Sequence, residues 1–373
     1  MAPARPSGRL FGTVVVAGVG LIGGSVGLGA KQRALAERVI GYDLDPTALD
    51  AARGLGAIDE AQLSPGAWLE RADLLVLAAP SASLLPLAAA LIPHLRADAI
   101  VTDVGSVKGE LVAGYRELPG AKPRFVGGHP MAGSERAGVL HADAALLENA
   151  VWVLTPEADT DPAALELVRG FVEALGAKPV EVSPDRHDRL VALVSHLPYL
   201  AAVALTGLID RGDERSLKML LAAGGFRDLT RVASGDPRMS RDMVWANRES
   251  VSEALRFFRQ ELEELERLLA RPEELLERAE AAKRARDGIP IVKRSLLPAS
   301  FELIVAVPDR PGEFARITRA LGDEGVNIKD LEVLGIRESG GAVRLAFDSA
   351  AGLERARQAL TAAGYEARSR NGG

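Results

Sequence analysis

A glycine pattern close to the start of the chain has the spacing of a phosphate-binding turn. The segment Gly18-Val19-Gly20-Leu21-Ile22-Gly23 follows the apolar run Thr13–Ala17, which predicts a buried strand, and it opens a helical pattern. In that setting, backbone N–H groups and a helix N-terminus face a pyrophosphate. Gly18 permits the tight turn, Gly20 lets the phosphate approach, and Gly23 lets the helix pack on the strand. The segment is therefore predicted to bind a dinucleotide.

An acidic residue lies where the second strand of such a unit would end. Asp43 closes the apolar run Val39–Asp43, 20 residues after Gly23. A carboxylate there accepts hydrogen bonds from the adenosine ribose and repels a 2′-phosphate. Asp45 adds a second negative charge, and no arginine follows immediately. The sequence therefore predicts NAD rather than NADP, and these features together disfavour the alternative of a Gly-rich turn without a ligand.

Other polar residues follow the next predicted strands. Pro80 and Ser81 come after the run Leu74–Ala78, and Ser106 comes after the run Ile100–Val104. The carboxyl ends of the strands in a doubly wound sheet line the ligand crevice. We therefore expect both loops to lie near the nicotinamide of the cofactor.

A histidine is expected at the same edge of the sheet. His129 lies in a Gly-rich loop after the predicted strand Phe125–Gly128. A lone histidine is more often structural. This position favours function, because imidazole is neutral near pH 7 and can accept the proton of a hydroxyl group. Ser106 would orient that imidazole or a substrate, and it could also cap the helix that begins at Lys108.

Short apolar runs alternate with helical patterns through the first half of the chain. The predicted strands are Thr13–Ala17, Val39–Asp43, Leu74–Ala78, Ile100–Val104, Phe125–Gly128, Val151–Leu154 and Pro179–Val182. The predicted helices are Leu21–Leu35, Pro46–Arg53, Ala82–Leu91, Lys108–Tyr115 and Pro162–Leu175. This alternation implies a parallel, doubly wound sheet. Residues 1–183 are therefore predicted to form a Rossmann-type α/β domain.

Helical patterns dominate residues 184–286. A heptad-like apolar seam runs through Val244, Val251, Leu255, Phe258, Leu262, Leu265 and Leu269. The seam could pack inside its own subunit, but it persists to Leu269 while the opposite face is heavily charged. That pattern favours an all-helical domain that binds substrate and forms a homodimer.

The rest of the chain has a different order of elements. Residues 287–298 contain Gly288, Pro290 and Pro298 and are predicted to form a linker. Residues 299–373 are predicted to form strand Phe301–Val307, helix Gly312–Gly322, strand Val326–Ile336, a turn at 338–341, strand Ala342–Asp348, helix Ala350–Ala363 and strand Tyr365–Ser369. The order βαββαβ is typical of a small ferredoxin-like domain.

Composition excludes several function classes. A length of 373 residues suggests two or three domains, and the net charge of −6 offers no basic face for nucleic acid. The absence of cysteine excludes disulfides, thiolate catalysis and cysteine-bound metal. We expect no signal peptide, and prolines interrupt the least charged stretch, Leu74–Pro93, so we expect no membrane span. These features fit a cytoplasmic protein.

Four ordered motifs on this frame resemble those of prephenate dehydrogenases, the enzymes of the tyrosine pathway. They are Asp103–Lys108, Gly127–Glu135, Ser195–Pro198 and Gly224–Arg231, and the resemblance covers about Val14 to Leu269. It implies that C4 of prephenate gives a hydride to NAD and that loss of the ring carboxylate then aromatises the ring. This chemistry needs no metal.

The resemblance also implies roles for single residues. His129 is the base for the C4 hydroxyl, assisted by Ser106. Arg231 is the clamp for the substrate carboxylate, because a guanidinium offers a bidentate fork and stays charged. The other implied substrate-binding residues are Ser134, Glu135, His196, Tyr199 and Asp228.

The chain departs from the family pattern at two positions. Tyr199 stands where relatives often have a second histidine, and a phenol can donate a hydrogen bond but cannot carry a positive charge. Ser240 stands where relatives tend to have tryptophan. The remaining histidines have no motif around them and are interpreted as surface or capping residues: His94, His141 and His187.

The C-terminal segment resembles an ACT domain, a module that binds amino acids and usually works through paired copies. The matching segments are Asp309–Phe314 and Gly325–Ile328. The resemblance implies feedback control by tyrosine. Asn327 is the first candidate for contact with this effector, although it could equally cap a turn.

Three alternatives to prephenate dehydrogenase stay open. An arogenate dehydrogenase acts on a substrate with an amino acid side chain in place of the pyruvyl group. A non-catalytic sensor would bind NAD and an amino acid without needing a base, which His129, Ser106 and Arg231 together disfavour. A β-hydroxyacid dehydrogenase usually relies on a catalytic lysine on a helix, so the Gly-Gly-His-Pro motif makes it the weakest.

Overall fold

The computed structural model describes residues 8–120, 122–133, 136–289, 301–337 and 340–369. The chain divides into two units, Met1–Val292 and Lys293–Gly373. Most of the predicted linker, the first two residues of the predicted turn at 338–341, and the site candidates Ser134 and Glu135 lie outside the described residues.

An eight-stranded sheet forms the centre of the first unit. Its strands are β1 (Phe11–Ala17), β2 (Ala36–Tyr42), β3 (Glu60–Gln62), β4 (Leu74–Leu77), β5 (Ile100–Asp103), β6 (Arg124–Pro130), β7 (Val151–Thr155) and β8 (Lys178–Glu181). They are arranged in the order β3-β2-β1-β4-β5-β6-β7-β8. The first six strands are parallel and have the order of a Rossmann fold, which confirms the predicted fold class.

Helices cover both faces of this sheet. They are α1 (Leu21–Gln32), α2 (Pro46–Gly54), α3 (Ser81–Leu91), α4 (Gly109–Glu117) and α5 (Pro162–Ala174). Successive strand residues point to opposite faces, so Val14 and Val16 pack in a core that includes residues of α1 and α5. Val15 and Ala17 pack in the other core, with residues of α3 and α4. Burial on both faces explains why the strands are continuous apolar runs.

Strand β7 differs from the expectation of a fully parallel sheet. It pairs antiparallel with β6, whereas β8 returns to a parallel pairing with β7. The described parts of the connection from β6 to β7 contain only a short 3-10 turn, Val139–His141, and no crossover helix. Without a crossover the chain re-enters the sheet at the edge where it left it, which makes the pairing antiparallel.

The rest of the first unit is helical. Its helices are α6 (Pro184–Val191), α7 (Leu197–Gly207), α8 (Arg215–Leu221), α9 (Gly224–Thr230), α10 (Pro237–Ala246), α11 (Arg248–Leu268) and α12 (Pro272–Asp287). A π-helical turn, Ala192–His196, joins α6 to α7. Such turns are frequent at functional sites, and this one ends at a candidate site residue.

Apolar side chains remain uncovered on these helices. The run Pro184–Asp210 is long and apolar enough, by length and composition alone, to cross a membrane, and 17% of its most apolar window is buried. The predicted seam is interrupted at Asn247, between α10 and α11. Val251 is buried, whereas Leu255, Leu262 and Leu269 are 41%, 50% and 74% exposed. The seam is therefore not covered by its own chain at these positions.

The second unit is a four-stranded antiparallel sheet with two helices. Its elements are β9 (Phe301–Val307), α13 (Glu313–Asp323), β10 (Asp330–Arg337), β11 (Gly340–Phe347), α14 (Ala350–Ala362) and β12 (Ala367–Ser369). The strand order β10-β11-β9-β12 confirms the ferredoxin-like prediction. Strand β10 begins later than predicted, because Gly325 (φ +63°) ends α13 and the Val326 N–H donates to the Leu321 carbonyl.

Candidate active site

The glycine turn between β1 and α1 has the packing that a dinucleotide requires. Gly18 has φ +99°, and a Cβ there would lie 2.5 Å from the Ala78 carbonyl oxygen at the end of β4. A Cβ on Gly23 would lie 1.9 Å from the Gly18 carbonyl oxygen, so only glycine allows α1 to approach the strand. Apart from Gly20 and its two chain neighbours, no atom of the described residues lies within 4 Å of the Cβ position of Gly20, which leaves room for a phosphate.

Asp43 lies beside this turn. It directly follows β2, and its Oδ2 accepts a hydrogen bond from the Val19 N–H at 2.9 Å. Its Oδ1 accepts one from the Asp45 N–H at 3.0 Å. Asp45 itself caps α2 by accepting from the Thr47 N–H. The turn and the acidic residue are thus held together in the arrangement that binds pyrophosphate and ribose, and these residues fit NAD.

Ser81 and Ser106 meet at the carboxyl edge of the sheet. Their hydroxyl oxygens are 3.2 Å apart, which joins the loop after β4 to the loop after β5. The sequence allowed Ser106 to cap the following helix, but in the structure it does not. Helix α4 begins at Gly109, and the two oxygens of Asp188 accept from the N–H groups of Lys108 and Gly109 at 2.9 and 2.7 Å. The Ser106 hydroxyl is therefore not used in capping.

A buried ion pair fixes the backbone beside His129. Asp103, the last residue of β5, contacts the ammonium group of Lys108, and both side chains are fully buried. Lys108 Nζ also donates to the Gly128 carbonyl at 2.7 Å, and Asp103 accepts from the Gly128 N–H at 3.0 Å. The N–H and the carbonyl of Gly128, the residue before His129, are therefore both hydrogen-bonded. These bonds fix the backbone from which the imidazole extends.

His129 lies in β6 itself rather than in a loop. The strand continues to Pro130, and His129 pairs with Val153 of β7. Its Nδ1 lies 2.8 Å from Nε2 of His187, and Nδ1 of His187 lies 2.7 Å from Oδ1 of Asp188. The structure therefore links the candidate base His129 to His187 and Asp188 through consecutive hydrogen bonds.

The interpretation of His187 as a surface or capping residue is wrong. His187 is 2% exposed and Asp188 is 7% exposed. Both lie on the buried face of α6, together with Pro184 and Val191. That i, i+3, i+4, i+7 spacing, with apolar residues at both ends, was the signal in the sequence that could have placed them inside. By contrast, His94 and His141 are exposed, as expected.

His196 is buried next to this chain of side chains. Asn247, between α10 and α11, donates from Nδ2 to the Asp188 carbonyl at 2.8 Å and lies 3.2 Å from Nδ1 of His196. The amide nitrogen can only donate, so Nδ1 of His196 is the acceptor and the ring is neutral. Burial is the largest cause that lowers the pKa of His196 to about 4, and it outweighs the opposing effect of the Asp188 charge.

Burial also lowers the pKa of His129 well below its ordinary value. The positive charge of the buried Lys108 acts in the same direction. Both causes disfavour the imidazolium form. His129 is therefore neutral at pH 7, as a group that accepts a proton must be.

The neutral state of His196 predicts a pH-dependent stability. The folded pKa is lower than the unfolded value, so the free energy of unfolding is fully retained above pH 6.5 and falls as the pH drops towards 4. At pH 5 the loss amounts to about 2 kcal/mol. We expect His196→Gln to remove this component, as measured by urea unfolding at pH 7 and pH 5. The exposed-residue control His94→Gln should behave like the wild type, and an unchanged pH dependence in His196→Gln would contradict the assignment.

The other candidate residues lie on the helices and in the second unit. Tyr199 is half-buried in α7, close in sequence to His196. Asp228 in α9 and Arg231 in the 3-10 turn that follows it are exposed in the single chain. Asn327 is exposed in the connection between α13 and β10. The structure thus brings His129 into the neighbourhood of His196 and places Ser81 against Ser106, while Asn327 belongs to a separate unit.

Family models cover most of the chain. A model for the nucleotide-binding domain of prephenate dehydrogenase matches residues 26–181, and one for its dimerization domain matches residues 183–279. A model of the ACT domain matches residues 301–364.

Individual relatives have similar sequences and structures. A prephenate dehydrogenase of Bacillus subtilis is 35% identical over 363 residues, which are 95% of this chain and 97% of that protein. A crystal structure of prephenate dehydrogenase from A. aeolicus, in complex with hydroxyphenyl propionate and NAD+, has a TM-score of 0.71 and 35% identity over 75% of this chain and 98% of that one. Arogenate dehydrogenase from Synechocystis has a TM-score of 0.65 and 35% identity over 74% and 99%. The glycine turn, the neutral histidine and these similarities lead to one conclusion: the chain belongs to the prephenate dehydrogenase family and is an NAD-dependent dehydrogenase.

Proposed function

We propose that this enzyme converts prephenate to 4-hydroxyphenylpyruvate by NAD-dependent oxidative decarboxylation in tyrosine biosynthesis. The observation that carries the proposal is the neutral, buried His129 at the carboxyl edge of the sheet that holds the dinucleotide turn. Prephenate has a C4 hydroxyl that requires such a base. The location in a cytoplasmic biosynthetic pathway fits a chain without cysteine.

The residues of the chain divide the chemistry between them. Bound NAD, held by the Gly18–Gly23 turn, Asp43, Pro80 and Ser81, supplies the hydride acceptor. His129 takes the proton of the C4 hydroxyl, and Ser106 orients that hydroxyl from the adjacent strand end. The electrons of the O–H bond form the C4 carbonyl, and departure of the ring carboxylate then restores aromaticity.

Arg231 is proposed to hold the substrate carboxylate. Its planar guanidinium can bind both oxygens of a carboxylate. His196 and Tyr199 are proposed to line the pocket from the adjacent helix, and Asp228 together with the Ser134–Glu135 segment to adjust Arg231 or gate entry. Tyr199 can donate a hydrogen bond to the ketone or carboxylate of a pyruvyl side chain, where a charged histidine is not needed.

The substrate side chain is decided by a direct comparison. Prephenate and arogenate differ only in a pyruvyl or an alanyl side chain, and named relatives include an arogenate dehydrogenase. We expect kcat/KM for prephenate to exceed that for arogenate in an assay of NADH formation. Activity with arogenate alone would overturn the substrate assignment but not the reaction class.

The domain boundaries and the homodimer are proposed together. We divide the chain at residues 183, 286 and 298, as the sequence patterns suggest. The model that matches residues 183–279 describes a dimerization domain, and Leu220, Leu229 and Leu269 are 80%, 68% and 74% exposed there. An apolar surface of this kind is covered when a second copy binds. The apolar run Pro184–Asp210 is then part of an interface and not a membrane span.

Tyrosine is proposed as a feedback inhibitor that acts through the ACT domain. Deletion of residues 300–373 should abolish inhibition by tyrosine and leave part of the activity, as measured from initial rates at increasing tyrosine. Asn327→Ala tests the same idea without removing a domain, because Asn327 is exposed and its replacement leaves the core of the unit intact. Equal inhibition of the deletion variant would place the tyrosine site in the catalytic unit.

A further inference from the structure

We propose that His187 and Asp188 form a positioning pair that fixes the tautomer of His129, so that Nε2 of His129 carries the lone pair that accepts the substrate proton. This inference rests on the proposed function. It assigns a role to two buried polar residues outside the four motifs that define the family resemblance.

The carboxylate of Asp188 determines which groups donate and which accept in the hydrogen bonds that link Asp188, His187 and His129. Its Oδ1 accepts from the Lys108 N–H, and its Oδ2 accepts from the Gly109 N–H. Both oxygens therefore act as acceptors, as they do in an ionised carboxylate. The contact of Oδ1 with Nδ1 of His187, at 2.7 Å, then requires a proton on that nitrogen. The proposal places a single proton on His187, so its other nitrogen, Nε2, is left as an acceptor.

The same logic carries to His129. Nε2 of His187 and Nδ1 of His129 are 2.8 Å apart, and one of the two must donate. Because neutral His187 has its proton on Nδ1, the donor is Nδ1 of His129. Nε2 of His129 is then the unprotonated nitrogen, since a neutral imidazole has one N–H.

Burial and further hydrogen bonds stabilise this assignment of donors and acceptors. His187 is buried, so water does not compete for either of its nitrogens. Asp188 is held at its carboxylate by the start of α4 and at its carbonyl by Asn247. The pair therefore acts through His129 and does not itself contact the reacting atoms.

The proton step balances with this tautomer. The O–H bond of the C4 hydroxyl breaks, its electron pair stays on oxygen, and a new N–H bond forms at Nε2 of His129. C4 loses its hydride, for which bound NAD would be the acceptor, and the oxygen becomes a carbonyl. The resulting imidazolium keeps its hydrogen bond from Nδ1 to His187, which is in turn bonded to the Asp188 carboxylate. When the ring carboxylate leaves as CO2, its bonding electrons enter the ring and the oxygen takes a proton back.

Two variants of His187 distinguish the effect of its hydrogen bond to His129 from the effect of its side-chain volume. His187→Gln keeps a hydrogen-bond acceptor near the position of Nε2, whereas His187→Leu fills similar space without one. In full-length protein we expect His187→Leu to lower kcat for prephenate by roughly 10–10³-fold, because the wrong tautomer of a catalytic histidine is severely limiting. His187→Gln should recover most of that loss, with KM and NAD affinity unchanged in both. His94→Gln is the exposed matched control.

The tautomer is read independently of turnover from the ¹⁵N imidazole signals of the protein, which has five histidines. His129→Asn identifies the signals of His129. A protonated Nδ1 and a bare Nε2 in the wild type, lost in His187→Leu, support the proposal. A proton on Nε2 of His129, full kcat in His187→Leu, or equal loss in both variants would overturn it. If the wild type is inactive on prephenate and arogenate, the proposed function fails, and the ¹⁵N signals still decide the tautomer.

Discussion

Replacement of His129 by asparagine is expected to lower kcat for prephenate by about 10²–10⁴-fold with NAD affinity close to that of the wild type. The amide nitrogen of asparagine lies near the position of imidazole Nδ1 and can still donate to His187. The group that is lost is the one that takes the hydroxyl proton. Steady-state kinetics give kcat, and fluorescence titration of NAD gives the affinity.

This variant also distinguishes an enzyme from a sensor. A sensor that binds NAD and an amino acid has no use for a base, so a change of less than a few-fold would restore that alternative. Thermal unfolding is the accompanying control, because β6 and the Asp103–Lys108 pair should be unaffected by the substitution. A large fall in Tm would mean that His129 also stabilises the strand.

Replacement of Arg231 by methionine is expected to raise KM for prephenate by roughly 10–100-fold, with a smaller effect on kcat. Methionine keeps much of the length of the side chain and removes the charged fork. The expected loss is moderate because Arg231 is exposed in the single chain and solvent screens its charge. Initial rates at increasing prephenate concentration measure the effect.

Arg231→Lys is the matched variant. It keeps the positive charge and loses the planar pair of donors, so its KM should fall between those of the wild type and Arg231→Met. A KM for Arg231→Met equal to that of the wild type would contradict this role and mean that another positively charged residue binds the substrate carboxylate.

The frame of the first unit was predictable because its signals are local. Each parallel strand is buried on both faces and is therefore a short apolar run, and the glycine turn has one physical solution after such a strand. The direction of β7 was not predictable from its own residues. It depends on the absence of a helix in the connection that precedes it, a property of the chain outside the strand.

Some residues of the candidate site were predictable from the sequence, and others were not. His129 and Ser106 were recognisable from motifs at strand ends. His187, Asp188 and Asn247 became part of the site only through contacts between distant segments, because the buried face of α6 packs against the start of α4. Lys108 similarly looked like an ordinary first residue of a helix, and its full burial against Asp103 is a tertiary effect.

The most direct test of the account is the stoichiometry of a single reaction. Full-length protein is mixed with prephenate and excess NAD, and NADH, CO2 and 4-hydroxyphenylpyruvate are quantified in the same sample. The account predicts that the three products form in equal amounts and that none forms above background with His129→Asn in the same time. NADH without matching CO2, or no NADH from prephenate, would contradict it.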